Sequence, residues 1–176
     1  MLIRHERPDD ADAIADLHLA AFGEHGTVVN RIVERVRELE EPLSLVAADG
    51  DRVIGHVMFS TGWIDADREL VAVKVLSPIG VLPDRQREGV GAALIEEGVK
   101  ELTEQGIPLV ALEGDPRYYR LRGFRAASEL FLKRPSKRIP EQAFQVRELA
   151  EYRTWMTGRV VYSQAFWETD SVGFRD

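Results

Sequence analysis

Three stretches of this chain predict an α/β fold in which a mixed sheet is flanked by helices. The first is ELVAVKVLSPIGVLPD, an extended apolar run from Glu69, which passes through Gln86-Arg87-Glu88-Gly89-Val90-Gly91 into the helical run AALIEEGVKEL. The second is the apolar run Ile107 to Leu112 just after that helix. Strand, helix and strand in this order form a crossover, and a crossover joins parallel neighbours. The third is a pair of runs, Leu43 to Ala48 and Arg52 to Thr61, about the turn Asp49-Gly50-Asp51. That pattern marks an antiparallel hairpin, so the sheet must be mixed.

The remaining elements follow from periodicity and breakers. Arg7 to Phe22 reads as a helix with Pro8 set for its first turn, acids at Asp9 and Asp10, and Ile14, Leu17, Ala21 and Phe22 on one face. Val28, Val29, Ile32, Val36 and Leu39 mark a second helix that stops before Pro42. The third extended run begins near Glu69 and is broken by Ser77-Pro78, which a strand accepts only at an edge or a bulge. A bulge there would turn the strand away from Ile107 to Gly114 and open a V-shaped gap in the sheet. The helix from Gly89 to about Gln105 turns Ala93, Leu94, Val99 and Leu102 inward and ends at Gly106. Glu129 to Lys133, Phe144 to Leu149 and Arg159 to Tyr162 read as short strands, and Phe166-Trp167 is expected to pack back on the body. With 176 residues and no linker-like stretch, a single domain over 1–176 is expected.

Composition narrows the function. The chain is 44% hydrophobic and 30% charged, as in an ordinary globular protein, and its net charge of −7 opposes non-specific binding to nucleic acid or to an anionic membrane. The opening MLIRHERPDD has no apolar signal region, and no apolar run is long enough to span a bilayer, so a cytoplasmic location is expected. The absence of cysteine excludes disulfides, zinc thiolates and a cysteine acyl-enzyme. No cluster of His, Asp and Glu has metal-ligand spacing, so no metal is expected. Charge is uneven along the chain: eight basic residues stand against the one acid Glu129 from Arg117 to Arg138. That flank suits either a phosphate-bearing ligand or simple solvation.

The loop before the long helix carries the chemistry. The first amides of a helix lack intrahelical partners and carry partial positive charge, which suits a pyrophosphate. Gly89 and Gly91 let a ligand approach the backbone closely. A P-loop is excluded, because Gly91 is followed by Ala92 and Ala93 where Lys and Ser or Thr are needed. A dinucleotide fingerprint is excluded because Leu94 stands where the third glycine belongs. What is left, Q-x-x-G-x-G after Ile79-Gly80-Val81-Leu82-Pro83, resembles the acyl-CoA loop of the GNAT N-acetyltransferases. A second motif supports it: Glu113-Gly114-Asp115-Pro116-Arg117-Tyr118-Tyr119-Arg120-Leu121-Arg122-Gly123-Phe124 resembles the strand and short helix of that family, ending Y-x-x-x-G-F, in the wording of its YhbS-like branch.

This resemblance implies the acyl-CoA N-acyltransferase fold and an enzyme that moves an acetyl group from acetyl-CoA to a primary amine by direct attack. The acceptor would be a small-molecule or peptide amine. By family pattern the pantetheine arm enters the sheet gap, and the thioester carbonyl meets a backbone N–H at Ile79, Gly80 or Val81. The pyrophosphate would meet the amides of Arg87, Glu88, Gly89, Val90, Gly91 and Ala92, with Gln86 opening the loop and the Glu88 side chain turned to solvent. Tyr119 matches the general-acid tyrosine, and Tyr118, about 100° away around a helix, cannot face the same sulfur. For a base, Glu113 at the strand end and His56 on the hairpin are candidates, and a dedicated base need not exist. His18, His25 and His5 have less to recommend them. A non-catalytic acyl-CoA-binding or sensing module is the alternative. Gly123 is expected to cap a helix, Phe124 to pack in the core, and Asp115-Pro116 to start the short helix.

Overall fold

The computed structural model describes residues 1–173. Its sheet has nine strands: β1 (Leu2–His5), β2 (Leu43–Asp49), β3 (Arg52–Asp65), β4 (Leu70–Val81), β5 (Leu109–Glu113), β6 (Arg125–Ala126), β7 (Leu132–Lys133), β8 (Phe144–Glu148) and β9 (Gly158–Tyr162). The helices are α1 (Ala11–Phe22), α2 (Gly26–Leu39), α3 (Val90–Glu104), α4 (Pro116–Tyr119) and α5 (Gln164–Glu168). The strands run in the order β1-β2-β3-β4-β5-β8-β6, with β9 joined to β3 and β7. The β4–β5 pair, joined through α3, is parallel, and the β2–β3 hairpin is antiparallel, so the sheet is mixed as expected.

β3 is longer than the hairpin signal suggests. Its first part pairs with β2 as far as Leu43↔Phe59, and its second part, from Gly62 to Asp65, pairs with β9. That second part also pairs with the next strand, β4, from Gly62↔Val73 to Asp65↔Leu70, so it lies between a partner near in sequence and one about a hundred residues away. The first helix begins at Ala11, later than the periodicity suggests. Pro8–Asp10 form a 3-10 turn, and Arg7 is extended at φ −111°, with its N–H donating 2.7 Å to Asp10 Oδ2. The expected strand from Glu129 to Lys133 is corrected: Ala127–Leu130 form a 3-10 turn, and only Leu132–Lys133 pair with β9.

Two large apolar clusters flank the sheet. α3 contributes Leu94, Ile95, Val99 and Leu102 to one, with Leu45, Val57, Phe59, Val110 and Leu112 from the strands. α2 brings Ile32, Val33 and Val36 to the other, with Leu109, Ala111, Phe144, Tyr162 and Phe166. Alternate residues of β5 thus feed opposite sides, the period-two signature of a strand covered on both faces. Each fully buried Leu, Ile or Phe contributes roughly 1.5–3 kcal/mol. A smaller cluster of Ile14, Leu17, Val46 and Val53 seats α1. Gly123 (φ +75°) ends the turn after α4, and Phe124 is buried in the α3 cluster. Asp115 caps α4 by accepting from the Arg117 N–H at 2.9 Å. Of the late aromatic pair, Phe166 is buried while Trp167 is 43% exposed.

Candidate active site

The gap comes from a bulge in β4. Val57 lies opposite Ile79 but Phe59 lies opposite Leu76, so Ser77 and Pro78 together face the single residue Met58. β4 and β5 pair only at Lys74↔Val110 and Val75↔Ala111. Past that point β4 stays on β3 to Val81, whereas β5 continues on β8 to Glu113. Two strand edges are therefore left facing each other without a common ladder.

Which amides face the gap follows from alternation along an antiparallel strand. The Leu82 N–H donates 3.0 Å to Ile54 O, toward β3. Gly80 shares that orientation, which leaves the N–H groups of Ile79 and Val81 on the gap side. Gln86 agrees with this, since its Nε2 donates 3.1 Å to the outward-facing Val81 O. Of the three carbonyl-facing candidates, Gly80 thus matters through its missing Cβ. A methyl group there would lie 3.0 Å from Leu17 Cδ2, 3.2 Å from Phe22 Cε2 and 3.4 Å from His18 Cδ2.

The loop into α3 has two left-handed residues, Arg87 at φ 66° and Gly89 at φ 86°. Gly89 is the N-cap of α3 and offers no side chain, and the first backbone bond back to it is Ala93 N–H to Gly89 O at 3.0 Å. The amides of Val90, Gly91 and Ala92 precede that bond and form the donor ring at the helix start. Glu88 is turned away by Arg85, whose Nε donates 2.8 Å to its carboxylate, while Arg85 Nη1 reaches Asp49 at 2.8 Å. The loop and the segment after β5 enclose a cavity of about 510 Å³, lined among others by Ile79, Val81, Arg87, Gly91, Arg117 and Tyr119. A Cβ on Gly91 would lie 2.6 Å from Tyr118 Oη, so Tyr118 overhangs the helix start. The Arg122 guanidinium covers the Tyr118 ring at 3.5 Å from its centroid.

Tyr119 points elsewhere. Its ring packs edge-on against Phe124 at 5.6 Å and Tyr118 at 4.9 Å, and burial pushes its phenol well above the ordinary value near 10. Glu113 ends β5 opposite Phe144. By strand alternation its side chain lies on the side of Leu109 and Ala111, away from the α3 cluster that Tyr119 joins. Burial raises the Glu113 carboxyl, and a bond from the Gly173 N–H partly offsets this. The two residues therefore flank the sheet at the open end of the gap.

His56 is fully enclosed, and both of its ring nitrogens are engaged: Nδ1 lies 3.0 Å from His18 Nε2 and Nε2 lies 2.9 Å from Ser44 Oγ. The contacts extend to Asn30 Oδ1, 2.8 Å from His18 Nδ1, and from the Ser44 hydroxyl to Glu6 Oε2, with Arg37 2.5 Å from Glu6 Oε1. His18 is thus part of the wall over Gly80, a position sequence reasoning passed over. Its spacing of four from Ile14 on the buried face of α1 was the available signal. Burial, chiefly, lowers His18 from 6.5 to about 4 and also lowers His56.

One cavity thus joins a strand-bulge gap, a glycine helix start without a side-chain cap, and a Tyr-containing turn. Residues 2–127 match the family described as "Acetyltransferase (GNAT) domain", and the chain belongs to that family. It is similar to the uncharacterized N-acetyltransferase YjhQ of Escherichia coli (strain K12), 29% identical over 117 residues. That match spans 65% of this chain and 64% of the relative's length, less than two thirds of it. Among solved structures, the GNAT family N-acetyltransferase YhbS from Escherichia coli in complex with CoA is 33% identical with a TM-score of 0.83, covering 94% of this chain and 91% of that one. A GNAT acetyltransferase from Brucella melitensis in complex with acetyl-CoA is 34% identical with a TM-score of 0.75, covering 94% and 97%.

Proposed function

We propose that the chain transfers an acetyl group from acetyl-CoA directly to a primary amine in a ternary complex. The observation that carries this reading is that one cavity of about 510 Å³ joins the start of α3, the gap-facing residues Ile79 and Val81, and Tyr119. The similar structures that hold CoA and acetyl-CoA support the choice of donor.

In this reading the amides of Arg87 through Ala92 receive the pyrophosphate, and the Arg87 guanidinium adds charge. The pantetheine amides complete the two unpaired strand edges, as a peptide adds to a sheet. The amine lone pair forms a bond to the thioester carbonyl carbon, and negative charge grows on an oxygen that an N–H of Ile79 or Val81 stabilises. The carbon–sulfur bond then breaks, and Tyr119 supplies the proton to the departing sulfur. Its raised phenol keeps that proton at any working pH. The transfer becomes feasible because the same dry surroundings disfavour the thiolate too. Glu113 takes the proton lost by the amine, and its upward shift brings it nearer the working pH of a base. The acceptor is a small-molecule or peptide amine, and the acidic N-terminal half favours a cationic one.

A thiol-release assay over an amine library tests the reading. Tyr119→Phe should lower kcat by roughly 10²–10⁴-fold and leave coenzyme affinity within about twofold. Glu113→Gln should remove the acidic limb of the kcat/KM profile. Saturable coenzyme binding with no thiol release above background would instead assign a non-catalytic acyl-CoA-binding or sensing module.

A further inference from the structure

The basic stretch that stands out in the sequence does not form one surface. Arg117 and Arg122 line the coenzyme cavity, whereas Lys133, Arg134 and Lys137 line a separate cavity of about 370 Å³ that shares no residue with the first. Of the other three, Arg125 pairs with Glu148 and Arg138 Nε donates 3.1 Å to Val172 O, while Arg120 lines neither cavity.

We propose that this second cavity is a binding site for a small anion, a carboxylate or phosphate carried on a flat apolar body. Three observations converge. First, four cations, Lys133, Arg134, Lys137 and Arg159, surround it with the single acid Glu141, in a chain whose net charge is −7. Glu141 reaches only Arg134, at 3.4 Å, and Arg159 Nη1 spends its bond on the Arg134 carbonyl at 2.8 Å. Lys133 and Lys137 have no acidic partner among the described residues.

Second, Lys133 stands directly opposite Arg159 in the β7–β9 pairing, and the acid opposite Arg159, Asp65, lies on its β3 side, away from Lys133. Like charges at a cross-strand pair repel, and this ladder has only two residue pairs to hold it. An anion between the two would turn that repulsion into attraction. Third, Phe131 at the cavity rim has φ 58°, a conformation bulky side chains avoid, and the residue is 79% exposed. Phe144, Leu132 and Ala127 supply an apolar floor. An aromatic lid, an apolar floor and a basic rim match a ligand with a flat body and one anionic end. The volume falls within the range of small-molecule sites.

The test is calorimetric titration of the full chain at low salt with phenyl phosphate, benzoate and neutral benzyl alcohol, each with and without saturating coenzyme A. The expected result is one saturable site for an anionic probe, with Kd near or below ~1 mM, no binding of benzyl alcohol, and no competition by coenzyme A. The tighter of phenyl phosphate and benzoate identifies the anionic group. Lys137→Glu, a surface change checked by an unaltered Tm, should weaken binding about tenfold. Phe131→Ala should weaken it less, and Arg117→Glu in the other cavity should leave it unchanged. Binding that survives Lys137→Glu and disappears in Arg117→Glu overturns the proposal. So does binding of inorganic phosphate as strong as that of phenyl phosphate and indifferent to every variant, which would mark an adventitious ion only. The readout is binding alone, so it stands or falls separately from acetyl transfer.

Discussion

At His18 and His56 the balance between burial and hydrogen bonding can be counted proton by proton. The chain Asn30–His18–His56–Ser44–Glu6 has an acceptor at each end, because Asn30 Nδ2 is committed to Ala15 O at 3.1 Å and turns Oδ1 toward His18. Four contacts need four protons, and two neutral imidazoles and one hydroxyl supply three. Protonating an imidazole would complete the chain, yet burial opposes the charge more strongly and holds His18 near about 4. The folded state therefore binds that proton later than the unfolded state, where histidine titrates near 6.5. Stability from His18 is complete above about pH 6.5, falls as pH drops toward about 4, and is level below that. The difference between 6.5 and about 4 corresponds to roughly 3 kcal/mol. Denaturant melts from pH 8 to pH 4 should show this loss, and His18→Gln should flatten the curve in that window. A pH-independent midpoint would remove this account.

The element that decides the site is α3, and its position depends on glycine at two points of opposite kind. Gly89 turns the loop at φ 86°, where a side chain is strained by about 1–2 kcal/mol. Gly98 instead lets α3 lie against β3: a Cβ there would stand 2.2 Å from Phe59 Cε2. Gly98→Ala gains roughly 1 kcal/mol of helix propensity but overpacks the core by about 1–3 kcal/mol. A net loss of stability is expected, with coenzyme affinity reduced as the helix start shifts. Phe59→Leu in the same chain should recover part of both, which circular dichroism melts and coenzyme titration would measure. Arg87 at φ 66° is the converse. Arg87→Gly should raise the melting temperature by relieving strain while weakening coenzyme binding, because flexibility and charge act at the same residue in opposite directions.

At the scale of the molecule, the segment beyond the family-matched residues 2–127 is woven into the sheet and does not hang from it. β8 inserts between β5 and β6, β9 pairs with β3 and β7, and α5 buries Phe166 in the α2-side cluster. We expect the chain to unfold as a single domain. Phe166→Ala should cost about 3–5 kcal/mol, lowering Tm by roughly 6–20 °C in one cooperative transition. Two separated transitions in calorimetry would show that the C-terminal part melts alone. The arrangement also separates charge: one part of the basic stretch lines the cavity at the start of α3 and another lines the cavity at β7 and β9, an outcome that charge counting along the chain cannot resolve.

What the amino-acid sequence determined by itself was local. The Asp49-Gly50 turn, the glycine spacing from Gln86 to Gly91, and the Tyr119, Gly123 and Phe124 pattern depend on neighbouring residues, so their hairpin, helix start and left-handed cap were legible without a structure. The Ser77-Pro78 bulge was legible too, since a residue without an N–H cannot continue a ladder. Tertiary structure alone decided the rest. The outer end of β3 gains a second partner because β9 returns to its free edge, His18 meets Gly80 because α1 crosses β4 there, and Glu113 and Tyr119 fall on opposite sides because alternation along β5 is set by what packs on each face. Contacts between residues far apart in the chain depend on register and packing, and neither is encoded in the spacing of any one segment.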